Sequence, residues 1–150
     1  MDTAVHFSSD RDDWETPPET FANLDATFHF DIDVCATAEN TKCRKFYTPE
    51  DNGLLMPWAP LVCWMNPPYG HVIKDWVAKA HREAGCGATV VGLLPSRTDT
   101  TWFHSHIYNG HAEIEFIKGR LRFWLDGKKG GSAPFPSMIV VWKPIDNGDE

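Results

Sequence analysis

The sequence predicts a single α/β domain, doubly wound, with a mostly parallel sheet, helices on both faces and an antiparallel edge near its carboxyl end. Three observations carry this expectation. Apolar runs of strand length at 61–65 and 88–94 flank a stretch, 72–84, in which Val72, Ile73, Trp76, Val77 and Ala80 recur at helical spacing. The run from Ala88 to Leu94 is apolar without alternation, as a strand covered on both faces must be. Beyond Tyr108, strand-like stretches follow one another with no helix between them, which places antiparallel pairs at the sheet's end.

Each element has its own signal. Residues 1–12 are polar and read as a flexible tail, residues 145–150 as a frayed one, and the folded domain as 13–144. Thr16, Pro17, Pro18 and Glu19 have the spacing of a capping box with prolines in the first turn, so a short helix is expected to about Leu24. From Phe28 to Ala36 apolar and polar residues alternate, which predicts a strand with Asp33 near its carboxyl end. Residues 37–44 read as a loop or short helix, and 45–48 as a brief strand that ends in the turn 49–53. Trp58 reads as a core aromatic. Gly85 and Gly87 end the helix over 72–84, and Pro95 closes the strand over 88–94. A helix over 100–108 then precedes strands at 113–117, 120–125 and 137–142, with a Gly/Lys-rich turn before the last.

Composition narrows the class. A chain of 150 residues supports one well-buried core. No apolar run approaches bilayer length and no secretory signal pattern opens the chain, so a cytosolic protein is expected. Cys35, Cys43, Cys63 and Cys86 lack C-x-x-C spacing and read as reduced; the histidines form no metal-ligating set, so no metal is expected. The net charge of −7 argues mildly against nucleic acid, yet Lys118, Arg120, Arg122, Lys128 and Lys129 cluster late in the chain and allow a local basic face.

The most informative segment is Asn66-Pro67-Pro68-Tyr69, directly after the apolar strand 61–65. Two prolines cannot continue a sheet ladder, so the strand must end in a stiff extended loop. Such a loop leaves the Asn66 carboxamide and the Pro67 carbonyl as acceptors, with the Tyr69 ring beside them as a stacking plate. Open α/β sheets bind ligands at that edge. A planar base bearing an exocyclic amine matches two acceptors and one aromatic face. The loops at 14–17, 33–36, 66–70 and 95–99 are expected to converge there, and Asp51 adds an acid about eighteen residues after Asp33, a spacing that suits ribose hydroxyls.

Together these segments resemble the small phage and prophage DNA N6-adenine methyltransferases, the phage Dam type. The resemblance runs from about Asp13 to Pro144. It rests on Asp13-Trp14-x-Thr16-Pro17, Asp33-Val34-Cys35-Ala36, the turn before Leu54, Asn66-Pro67-Pro68-Tyr69 and Pro95-x-Arg97-Thr98-Asp99 with Trp102-Phe103. Gly119-Arg120-Leu121-x-Phe123 and Pro134-x-Pro136 complete it. It implies a Rossmann-like class I methyltransferase fold, S-adenosyl-L-methionine as cofactor and double-stranded DNA as partner, in the cytoplasm of a bacterial host. It also implies cofactor contacts at Trp14, Thr16, Pro17, Asp33, Cys35, Ala36, Asp51 and Asn66, and catalysis by Asn66, Pro67, Pro68 and Tyr69. The glycine-rich F-x-G-x-G signature of most amino-methyltransferases is absent, with Asp-Val-Cys-Ala in its place. DNA contacts are expected from Tyr69, Arg97, Arg120, Arg122, Lys128 and Lys129, although Arg97 equally fits a surface ion pair and the lysine pair a solvated loop. Two other functions suit the residues: methyl transfer to another planar amine (RNA adenine, cytosine N4 or a protein glutamine), or a binding module that has lost catalysis.

Overall fold

A computed structural model of the chain describes residues 14–144; both expected tails, and Asp13, lie outside the described residues. Its centre is a six-stranded sheet. Helix α1 (Pro18–Phe28) leads into β1 (Ile32–Asp33), then β2 (Lys45–Phe46), a 3₁₀ turn (Gly53–Leu55) and β3 (Val62–Met65). Helix α2 (Ile73–Gly85) connects β3 to β4 (Thr89–Pro95). One helical turn, α3 (Thr101–Phe103), widens into a π-helical segment, His104–Tyr108, before β5 (Glu113–Phe116). A hairpin, β6 (Trp124–Leu125) and β7 (Lys128–Lys129), precedes the last strand, β8 (Ser137–Trp142).

The sheet order is β2-β1-β3-β4-β8-β5. The first four strands are parallel, and β8 runs antiparallel between β4 and β5. Val90, Val91, Leu93 and Leu94 of β4 are wholly buried, which explains the unbroken apolar run. Adjacent residues of a strand face opposite sides, and β3 shows what covers each. Trp64 meets Phe21 of α1 edge-on, 5.5 Å from Phe30 as well. Met65 faces Gly92 on the other side, where the Trp142 ring also lies and where Trp142 Nε1 donates to the His106 carbonyl of the π segment. Helices therefore cover both faces, as expected.

Several elements depart from the sequence expectation. Helix α1 continues to Phe28, ending where His29 turns left-handed at φ 56°, and the strand expected from Phe28 shrinks to Ile32–Asp33. Phe21, Leu24 and Phe28 satisfy a helical period as well as Phe28 satisfies the strand alternation, and the helical one holds, with Phe21 and Phe30 packed on Trp64 of β3. Thr16 does not cap this helix; Pro17 stands at the cap with no side-chain hydrogen bond, and the Thr16 hydroxyl is engaged elsewhere. The strand expected over 120–125 reduces to Trp124–Leu125, because its partner is a local hairpin and not the main sheet.

Topology settles where chemistry can occur. The parallel strands send the loops after Asp33, Met65 and Pro95 to one edge. Ser137 pairs with Pro95 and Phe116 pairs with Met138, so β5 ends and β8 begins at that same edge. The connection 117–136, here called the arm, is rooted there. Its turn, Asp126 at φ 51° and Gly127 at φ 79°, has the two left-handed residues of a tight type I′ hairpin.

Candidate active site

The Asn66 carboxamide is fixed by what lies before α1. Its Nδ2 donates to the Trp14 carbonyl and, at 3.0 Å, to the Thr16 hydroxyl. A carbonyl can only accept, so the nitrogen must face Trp14 and the oxygen must face away. That oxygen, Oδ1, is buried with no hydrogen-bond partner among the described residues. An unsatisfied buried acceptor costs about 1–3 kcal/mol and is expected where a ligand supplies the donor.

Beside it lies a cavity of about 220 Å³ lined by Trp14, Glu15, Thr16, Asp33, Cys35, Ala36, Asn66, Pro67 and Pro68, with Trp64 and the 37–49 segment closing it. A second cavity of about 230 Å³ shares Cys35, Ala36, Pro49 and Pro68 with the first and reaches to Tyr47, Gly53 and Trp76. Together they have the size of a small-molecule site. Eight residues singled out by sequence are thus brought together. Thr37, Asn40, Lys42 and Pro49 were missed; their signal was a polar loop following a strand's carboxyl end.

Asp33 is the cavity's buried carboxyl. Burial pushes its pKa up to about 6, against the pull of the Lys42 and Cys35 backbone N–H groups, which donate at 3.0 and 3.3 Å. The Lys42 charge also pulls the value down but does not offset burial, and a ligand carrying an ammonium or sulfonium would add to that pull. Burial, and Asp33 after it, push the Cys35 thiol up to about 12, so it stays protonated at neutral pH and acts as wall, not nucleophile.

Asp33 makes the site pH-dependent. Because its folded pKa lies above the unfolded value of 3.8, its stabilising contribution is complete below pH 3.8 and is lost as pH rises through about 6. A cationic ligand reverses the preference and selects the ionised form. Calorimetric affinity for a cationic ligand should therefore be constant above pH 7 and fall toward roughly tenfold per pH unit below 6. Asp33→Asn should weaken binding and flatten that dependence; an unchanged slope in the variant would rule out this pairing.

Other sequence candidates are placed differently. Pro17 caps α1 outside the cavity lining. Asp51 sits on the exposed turn, where its carboxylate accepts from the Thr48 backbone N–H and hydroxyl at 2.9 and 3.0 Å and does not line either cavity. Tyr69 is only 1% exposed: its hydroxyl donates to the Leu93 carbonyl at 2.9 Å, and its ring meets Phe123 and Phe135 of the arm edge-on. The open stacking plate expected from sequence is here roofed by the arm. Trp58 is a core residue, its indole N–H bonded to the Gly53 carbonyl.

Arg97, Arg120, Arg122, Lys128 and Lys129 are all exposed. The last four belong to the arm, where Arg120 and Arg122 donate to the Ala133 and Gly130 carbonyls. With Lys118 the arm carries five cations against the single acid Asp126, in a chain of net charge −7. Among the described residues no group of three His, Cys, Asp or Glu side chains is placed to hold a metal, and no helix is long and apolar enough to cross a membrane.

Comparison with known proteins bears on this arrangement. A family model described as DNA N-6-adenine-methyltransferase (Dam) matches residues 4–149. A protein of Haemophilus phage HP1 named DNA N-6-adenine-methyltransferase is 33% identical over 140 residues, covering 91% of this chain and 81% of that protein. One of the same name from Escherichia phage T1 is 36% identical over 121 residues, 79% of this chain and 50% of its own length. A putative methyltransferase of Escherichia coli, YfdM, is 34% identical over 65 residues, 39% of this chain and 71% of its own. With its edge cavity, its fixed Asn66 amide and a family match over nearly all its length, the chain belongs to the Dam family of DNA N-6-adenine-methyltransferases.

Proposed function

We propose that the chain transfers a methyl group from S-adenosyl-L-methionine to the N6 amine of an adenine in double-stranded DNA. One observation carries this reading: the Asn66 carboxamide is held by its nitrogen side, beside the cavity it lines, and its buried oxygen finds no partner among the described residues. The cofactor fits the residues present. Asp33 offers a buried carboxyl whose ionised form a bound cation would favour, and Trp14, Thr16, Cys35, Ala36 and Pro68 wall the space around it. When bound, S-adenosyl-L-methionine supplies an electrophilic methyl group on a sulfonium.

The remaining work belongs to the chain. An adenine amine is a poor nucleophile because its lone pair is delocalised into the ring. Asn66 Oδ1 and the Pro67 carbonyl accept its two hydrogens, favour a pyramidal nitrogen and aim the lone pair. No strong base is required, since alignment supplies most of the acceleration. The base must leave the duplex to reach this edge, and Tyr69 stacks on it there, a contact of about 1–3 kcal/mol. For that, Phe123 and Phe135 must give way.

Parallel transfer of a labelled methyl group to duplex DNA, RNA and protein tests the reading directly. Expected is incorporation into duplex DNA, recovered as N6-methyladenine; incorporation only into RNA, cytosine or protein would replace it. The basic arm supplies the phosphate contacts. Lys128→Gln with Lys129→Gln should raise KM for DNA several-fold with kcat nearly unchanged. The salt dependence of DNA binding should lose about two units of log–log slope, near 0.9 per phosphate contact. A slope equal to that of the native chain would remove the lysine pair from the interface.

A further inference from the structure

Glu15 belongs to none of the motifs above, yet it joins the arm to the site. Its backbone pairs with Trp124 through two hydrogen bonds of 3.0 and 3.1 Å, an isolated antiparallel bridge beside the β6–β7 hairpin. Its carboxylate accepts from both backbone N–H groups of the hairpin turn, Asp126 on Oε2 at 3.0 Å and Gly127 on Oε1 at 3.2 Å. On one side of it, Trp14 packs edge-on against Phe123 and Phe135, at 5.5 and 5.0 Å, and gives its carbonyl to Asn66. On the other, Thr16 gives its hydroxyl to the same amide. All three residues line the first cavity.

Two consequences follow from that placement. The arm carries the cations and the two rings that roof Tyr69, so any duplex that engages it acts on Phe123 and Phe135. The segment Trp14–Thr16 carries both acceptors that aim the Asn66 amide and part of the cavity wall. Glu15 fastens one to the other through hydrogen bonds to the arm's turn, beside the Trp14 ring packed on Phe123 and Phe135. Resting on the methyltransferase reading, we infer that Glu15 is a positioning residue that couples duplex DNA on the arm to methyl-donor binding in the cavity. A ligand that fixes the 14–16 wall presets the arm, and a duplex that fixes the arm presets the wall. Linkage makes the two effects equal in size.

The test uses the native chain, S-adenosylhomocysteine as a non-reacting occupant of the donor site, and a duplex that the native chain methylates. Native protein should bind the duplex about fivefold or more tightly with S-adenosylhomocysteine present, and S-adenosylhomocysteine more tightly by the same factor with duplex present. In Glu15→Ala that factor should fall to within about twofold of one. Glu15→Gln, which keeps one acceptor oxygen, should lie between. A merely structural role would lower the melting temperature and both separate affinities but leave the coupling factor intact. Full coupling retained in Glu15→Ala overturns the inference, as does a native chain that methylates DNA without coupling. Should Glu15→Ala fail to fold, a native-sized factor in Glu15→Gln overturns it equally. A native chain that neither binds nor methylates duplex DNA overturns the methyltransferase reading as well, so the two failures are distinct.

Discussion

Asn66→Ala should lower kcat for methyl transfer by a hundredfold or more, the scale seen when one preorganised polar group aimed at a reacting centre is removed. Donor affinity should change far less, because the cavity keeps its other walls. The loss has two parts, and a second variant separates them. Alanine removes the buried acceptor and also the NH₂ group that donates to the Trp14 carbonyl. Asn66→Asp keeps an acceptor but replaces the NH₂ group by an oxygen facing that carbonyl, where two acceptors repel. If orientation by Trp14 and Thr16 is what matters, Asn66→Asp should also lose activity, by tenfold or more, and should loosen the 14–16 segment to proteolysis. An Asn66→Ala protein that methylates DNA at the native rate would remove this residue from the chemistry.

What the sequence discloses divides along a physical line. β4, β8 and α2 were legible within a residue or so because each buries a continuous apolar pattern of its own, and the Asn66 loop because prolines punctuate a buried strand unambiguously. The site residues that proved contiguous, Trp14, Thr16, Asp33, Cys35, Ala36 and Asn66, sit just after strand ends or just before the first helix, where an α/β sheet gathers ligands. Illegible features depend on partners far along the chain. Glu15 reads as one acid in a polar stretch, and its partners are Asp126 and Gly127, more than a hundred residues away. Thr16 has the spacing of a helix cap, but a buried amide fifty residues on takes its hydroxyl. Phe28 fits two periods at once, and the helical one holds, with Phe21 and Phe30 packed on Trp64 of β3.

Tyr69 shows the same limit and sets the second large effect. Read from sequence alone, Tyr69→Ala is a substrate-binding variant. Within the fold it is first a core deletion: a wholly buried ring leaves a void between Phe123 and Phe135, and the Leu93 carbonyl loses its donor. Truncating a buried aromatic to alanine costs about 3–5 kcal/mol, a large share of a small domain's stability. Tyr69→Ala should therefore lower the melting temperature by roughly 6–20 °C, at about 2–4 °C per kcal/mol for a domain of this size, and lose activity for that reason alone. Tyr69→Phe separates the roles. It keeps the ring and gives up one hydrogen bond, at about 1–3 kcal/mol because the Leu93 carbonyl stays buried. Stacking needs the ring and not the hydroxyl, so Tyr69→Phe should retain KM for DNA within a few-fold once temperature is held below its lowered melting point. A Tyr69→Phe protein that is fully folded yet unable to use DNA would show that the hydroxyl, and not the ring face, serves the substrate.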